Sequence, residues 1–143
     1  MTTLTKLTRT MSAYKIDRKW HLCDANDQIL GRFATKISTL LCGKGKTTFS
    51  PHMDNGDYVV VINAKNIKVT GKKEQQKIYT SYSGYPGGLK ETPYFRLHAK
   101  DPRKVIQSAV SGMLPKNKLR DKRMKRLYVF PEETHTFTDK FNN

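Results

Sequence analysis

Gly43-Lys44-Gly45-Lys46-Thr47 invites a reading as a nucleotide site, because Gly-Lys-Thr closes the loop that wraps NTP phosphates. That loop needs a further glycine five places before Gly45, and the position holds Leu40. Two readings of the segment stay open. It is either a flexible basic corner that brings backbone N–H groups, Lys44 and Lys46 to phosphates, or a helix end followed by solvated lysines. His21, His52, His98 and His135 are scattered, with no metal-ligand spacing and no neighbouring Cys. No Gly-x-Ser-x-Gly elbow presents a nucleophile. Asp54 and Asp57 flank Asn55-Gly56, where turn-stabilising hydrogen bonds explain them more simply than a hard cation does. Cys23 and Cys42 make neither a Cys-x-x-Cys pair nor a disulfide framework. Catalytic, metal and cofactor roles therefore find no support in spacing.

Two other segments carry a chemistry of charge. After Pro115 the chain runs Lys116, Lys118, Arg120, Lys122, Arg123, Lys125, Arg126 against one acid, Asp121. Solvated faces normally mix signs, and unpaired Lys and Arg are seldom buried. This strip is expected to be exposed and to meet an anionic partner; a nuclear-localisation patch ranks below, since the strip sits between structured elements. From Thr70 to Lys90, Lys72, Lys73, Lys77 and Lys90 bracket Tyr79, Tyr82 and Tyr85 and the turn Gly84-Tyr85-Pro86-Gly87-Gly88. Cations contact phosphates, tyrosines stack on unpaired bases, and glycines allow close backbone approach. Tyr79 fits equally well as a cap on the core.

The elements that must hold these segments follow from periodicity. Trp20 to Ala25 predicts a strand ended by Asn26-Asp27. Leu30, Phe33, Ala34, Ile37 and Leu41 recur at helical spacing, with Gly43 as the cap. Tyr58 to Ile62 is continuously apolar, as in a strand covered on both faces. Weaker strands are expected near Ile67 to Thr70 and Lys77 to Tyr82. Thr92-Pro93 and Asp101-Pro102 each open a helix, and Leu127 to Phe130 supplies a last strand. Strands alternating with helices predict an α/β layer fold, with helices on both sides of a mostly parallel sheet. Residues 16–130 are expected to form one domain, followed by a polar tail over 131–143.

Composition agrees with a folded, cationic domain. The chain has 143 residues, 27 Lys and Arg against 12 Asp and Glu, and a net charge of +15, which calls for an anionic partner. Its hydrophobic share, 36%, is too high for a disordered basic tail. No apolar run approaches the roughly 20 residues of a membrane span, so no membrane partner is expected. Residues 1–15 are Thr-rich and basic, and read as a mobile arm in preference to an organelle-targeting segment.

Several blocks stand in a telling order: WHLCDA, LGRFATKI, SPHMDNGDY, VTGKK, SGYPGGL and VSGMLPKNKL. Over roughly Ile16 to Phe130 this chain resembles the large-subunit ribosomal protein L-thirteen family of bacteria and organelles. Arg120-Asp121 departs from the family pattern and leaves the shape of that turn open. The resemblance implies a three-layer α/β/α fold around a mostly parallel sheet of about four strands. It also implies a non-enzymatic protein that binds large-subunit rRNA early in assembly, beside neighbouring ribosomal proteins. It implies a place in the ribosome, in the cytoplasm or an organelle, with no small-molecule substrate or cofactor. The expected rRNA-binding residues are Arg32, Lys36, Lys44, Lys46, His52, Lys72, Lys73, Tyr82, Gly84, Tyr85, Gly87, Gly88 and Lys90, with Lys116, Lys118, Arg120, Lys122, Arg123, Lys125 and Arg126. Replacing Lys118, Arg120 and Arg123 by Ala is expected to weaken rRNA binding and spare the fold. The rivals are a nucleotide-dependent enzyme, which would lose NTP hydrolysis on Lys46→Ala, and a DNA-binding protein outside the ribosome.

Overall fold

The computed structural model describes residues 16–141, so the arm expected over residues 1–15 lies outside it. Three strands, β1 (Trp20–Asp24), β2 (Tyr58–Ile62) and β5 (Leu127–Val129), form a parallel sheet in the order β1-β2-β5. The valine-rich β2 takes the centre, with Val59, Val60 and Val61 at 0% exposure, as its unbroken apolar run requires. Register follows Trp20↔Tyr58 on one side and Val60↔Tyr128 on the other, so those aromatic residues share a face.

The opposite face carries Cys23, Val59, Val61, Leu127 and Val129 and packs into one cluster with α1 (Leu30–Cys42) and α4 (Pro102–Met113). α1 buries Leu30, Phe33, Ala34, Ile37 and Leu41, the predicted stripe. It ends where Gly43 turns left-handed (φ 75°) and donates its N–H to Leu40 and Thr39 carbonyls. α4 starts as expected: the Asp101 carboxylate accepts from the Arg103 N–H, and Pro102 fills the first position. It stops at Leu114, held extended (ψ 146°) before Pro115.

The aromatic face is covered by the C-terminal tail, which is not purely polar. Trp20 stacks on Tyr58 with centroids 4.4 Å apart. Phe137 leans on Trp20 at 5.2 Å and Tyr128 at 4.5 Å, and Phe141 meets Trp20 edge-on. The helical content of this outer layer is a 3-10 turn at Thr138–Lys140.

Among the described residues the parallel sheet has three strands where about four were expected. The segment near Ile67 to Thr70 contributes one parallel bridge, Ile29↔Lys68, because its backbone bonds the link that precedes α1. Leu30 N–H donates to the Lys68 carbonyl and Lys68 N–H to that of Gln28, and the chain then turns at Gly71 (φ 65°). The strand expected near Lys77 to Tyr82 exists as β3 (Ile78–Tyr82), but it pairs antiparallel with β4 (Leu89–Pro93) in a separate hairpin. A short α2 (Lys73–Gln76) precedes the hairpin and α3 (Tyr94–Lys100) follows it. Thr92-Pro93 closes β4, so α3 is preceded by Pro93 with no side-chain cap. The basic strip folds as α5 (Leu119–Met124), with Arg120-Asp121 inside it and no turn there.

Candidate nucleic-acid interface

Arg123 lies on α5 four residues after Leu119, and Arg126 follows two residues beyond the helix end; both turn toward the protein. Arg123 is 2% exposed and Arg126 7%. Both meet Asp54, from the loop between α1 and β2. Arg126 grips its carboxylate with both terminal nitrogens, Nη2 at 2.6 Å from Oδ1 and Nη1 against Oδ2. Arg126 Nη2 also reaches the Leu41 carbonyl at 3.4 Å, and Arg123 Nε lies 3.6 Å from Asp54 Oδ1. Arg18 adds a longer contact to the same carboxylate at 3.9 Å. Burial alone would raise the Asp54 carboxyl. The Arg126 hydrogen bonds and the Arg126, Arg18 and Arg123 charges outweigh it and hold the group below the usual carboxylate range.

The strip therefore divides, and two of the expected RNA contacts are corrected. Arg123 and Arg126 are structural cations, buried together against the one carboxylate of Asp54, which offsets part of their charge. Lys116, Lys118, Lys122 and Lys125 are exposed, and Arg120 is half-buried. The expectation that Arg123→Ala would spare the fold falls with its exposure.

The second acid of the same loop does similar work. Asp57 takes Lys46 Nζ at 2.5 Å, His21 Nε2 at 3.0 Å and the Lys19 N–H at 2.9 Å. Burial pushes the Asp57 carboxyl up, and hydrogen bonds from Lys46, Lys19 and His21 more than reverse it. Lys46, which also donates to the Asp17 carbonyl at 2.7 Å, ties the end of α1 to β1 and β2 and is not a free phosphate ligand. Gly43 caps α1 as expected, with Lys44 left exposed and Lys46 paired instead of solvated. Between the two acids, Gly56 packs so tightly on α1 that an added Cβ would sit 1.7 Å from the Leu41 carbonyl oxygen. Asp54 to Asp57 is thus a knot that fixes α5 and the end of α1 on the sheet.

The hairpin presents its residues differently. Tyr82 and Tyr85 are 65% and 75% exposed, around a turn with Gly84 and Gly87 at positive φ. A Cβ at Gly88 would sit 2.9 Å from the Tyr85 carbonyl oxygen, so the backbone of the turn would have to shift to admit it. Tyr79 faces the other way and packs on the core, as its alternative reading held. Lys72, Lys73 and Lys90 are exposed on or beside the hairpin, Arg32 and Lys36 on α1, and His52 in the loop before Asp54. Sequence reasoning missed Asp54 and Asp57 as anchors; the available signal was two acids spaced around one tight turn in a chain short of acids. Among the described residues no cluster of His, Cys, Asp and Glu side chains is placed to hold a metal. Cys23 and Cys42 are buried and free, and burial pushes the Cys23 thiol up, with Lys36 opposing.

These features define a basic α/β domain that neutralises part of its charge on buried acids and displays the rest from a helix, a hairpin and loops. The family model described as Ribosomal protein L13 matches residues 18–136. The chain is 55% identical to the large ribosomal subunit protein uL13 of Clostridioides difficile (strain 630), over 85% of each chain. It is 49% identical to that of Synechocystis sp. (strain PCC 6803), over 84% of this chain and 80% of the relative. To that of Thermobifida fusca (strain YX) it is 50% identical, over 84% and 82%. The chain belongs to the ribosomal protein L13 family.

Proposed function

We propose that this protein is a structural component of the large ribosomal subunit, a ribonucleoprotein part of the bacterial translation machinery, and binds large-subunit rRNA early in assembly. The observation that carries this reading is the two-sided strip. Its inner arginines are spent on Asp54, while Lys116, Lys118, Lys122 and Lys125 face solvent with no paired acid among the described residues. Such a rigidly mounted row suits phosphate contact and counterion release. Lys72, Lys73, Lys90, Lys44, Arg32 and Lys36 extend the cationic surface, and Tyr82 and Tyr85 suit stacking on rRNA whose bases are unpaired. The scaffold holds these elements at fixed separation, so rRNA segments distant in sequence are pinned together and no catalytic step is needed.

The test is sucrose-gradient sedimentation of a cell extract, in low and high salt. The protein is expected to travel with the large subunit and to stay there in high salt. Release into the light fractions, or sedimentation with chromosomal DNA, would contradict the reading.

A further inference from the structure

Only two glycines lie inside the described helices, Gly31 in α1 and Gly112 in α4, and the fold needs neither. Neither has positive φ, and a Cβ built on either meets nothing within 4 Å among the described residues. Glycine in a helix is costly relative to alanine, so an absent side chain with no steric demand points to something outside the protein. Both glycines line the same open groove, of ≈ 690 Å³, between α1, α4 and the base of the hairpin. That volume is within the roughly 300–1,000 Å³ of clefts that hold small ligands.

The lining has one sign of charge. Arg32, Lys73 and Lys77 contribute cations, and among the described residues no acid lines the groove. Its apolar lining includes Val69, Ala109 and Met113. Thr35 bridges the two helices there, its hydroxyl 3.0 Å from the Gly31 carbonyl and 3.3 Å from Met113 Sδ. α1 also begins without a side-chain cap beside Gly31 and Arg32, which favours negative charge at that end. A planar apolar group flanked by anions matches this lining; a neutral or basic peptide does not.

We propose that the groove receives one unstacked nucleotide of the rRNA. Its base lies against Val69, Ala109 and Met113, and the flanking phosphates meet Arg32, Lys73 and Lys77. Gly31 and Gly112 are the close-approach positions. The proposal rests on the rRNA-binding reading and adds a site that the strip and the tyrosine turn do not include.

The test is Gly112→Leu in the full chain, which fills the groove, removes no cation and replaces a poor helix former with a good one. Gly112→Ala is the conservative partner. Binding to large-subunit rRNA is measured by filter retention, and base accessibility by dimethyl sulfate probing of the complexes. The expected result is that Gly112→Leu binds about tenfold more weakly, the scale of one lost base contact, and re-exposes one unpaired base that wild type and Gly112→Ala protect. Unchanged affinity and protection in Gly112→Leu, with binding still weakened by Ala at Lys118, Arg120 and Lys122, would overturn the groove and leave the rRNA reading standing. Failure of the wild type to bind rRNA would overturn both. Normal rRNA affinity with loss of incorporation into the subunit would overturn the nucleotide and assign the groove to a protein neighbour.

Discussion

Asp54 decides how the most basic stretch of this chain behaves. Two of its arginines are buried against that one carboxylate, and removing the charge while keeping the shape leaves both uncompensated. Asp54→Asn is therefore expected to lower unfolding free energy by about 3–5 kcal/mol, read as a lower urea midpoint. The same geometry sets a pH response. Asp54 and Asp57 are both held below the carboxylate range, so the stability they supply is present above the unfolded aspartate value of roughly 3.9. It is lost as pH falls through their lower folded values, and Asp54→Asn should flatten that acid-side loss. An unchanged midpoint and an unchanged acid profile would remove Asp54 from the anchor role. The residue types here were legible in sequence, but their partners were not. Charge counting reads Arg123 and Lys122 alike, and only the four-residue spacing of Leu119 and Arg123 hints at which cation of the helix turns inward.

At the scale of elements, period and caps were legible wherever a strong pattern met a clear stop. α1 with Gly43, α4 with Asp101-Pro102 and the valine strand β2 stand where their spacing puts them. Pairing was less legible. Ile67 to Thr70 has strand-like residues, but its backbone partners are Gln28 and Leu30, a choice made by tertiary contact and invisible in local sequence. The tail misled in the opposite way: Phe137 and Phe141 sit among polar residues with no periodicity, yet both reach Trp20 across the sheet. Phe137→Ala should uncover the single tryptophan, shifting Trp20 emission to longer wavelength and destabilising the domain by about 3 kcal/mol, the low end for aromatic truncation because Phe137 is only partly buried. Identical emission and stability would mean that the tail adds nothing to that face.

For the whole molecule, a net charge of +15 is tolerable because it is sorted. Acids in the Asp54 to Asp57 knot absorb Arg123, Arg126 and Lys46, and what remains is displayed from α5, the hairpin and α1. That sorting is what a sum over composition could not show. It also selects the variant that isolates binding from folding: Lys118, Arg120 and Lys122 changed to Ala, leaving Arg123 in place. The most direct measurement is the salt dependence of binding to large-subunit rRNA for this variant against wild type, with the urea midpoint as a check on folding. Each lost phosphate contact changes the slope of log affinity against log salt by about 0.7–0.9. The prediction is a nearly unchanged midpoint, weaker binding, and a slope shallower by about 2–3. Equal affinity and equal slope in a folded variant would contradict the account, because the outward cations of α5 would then not be meeting phosphates.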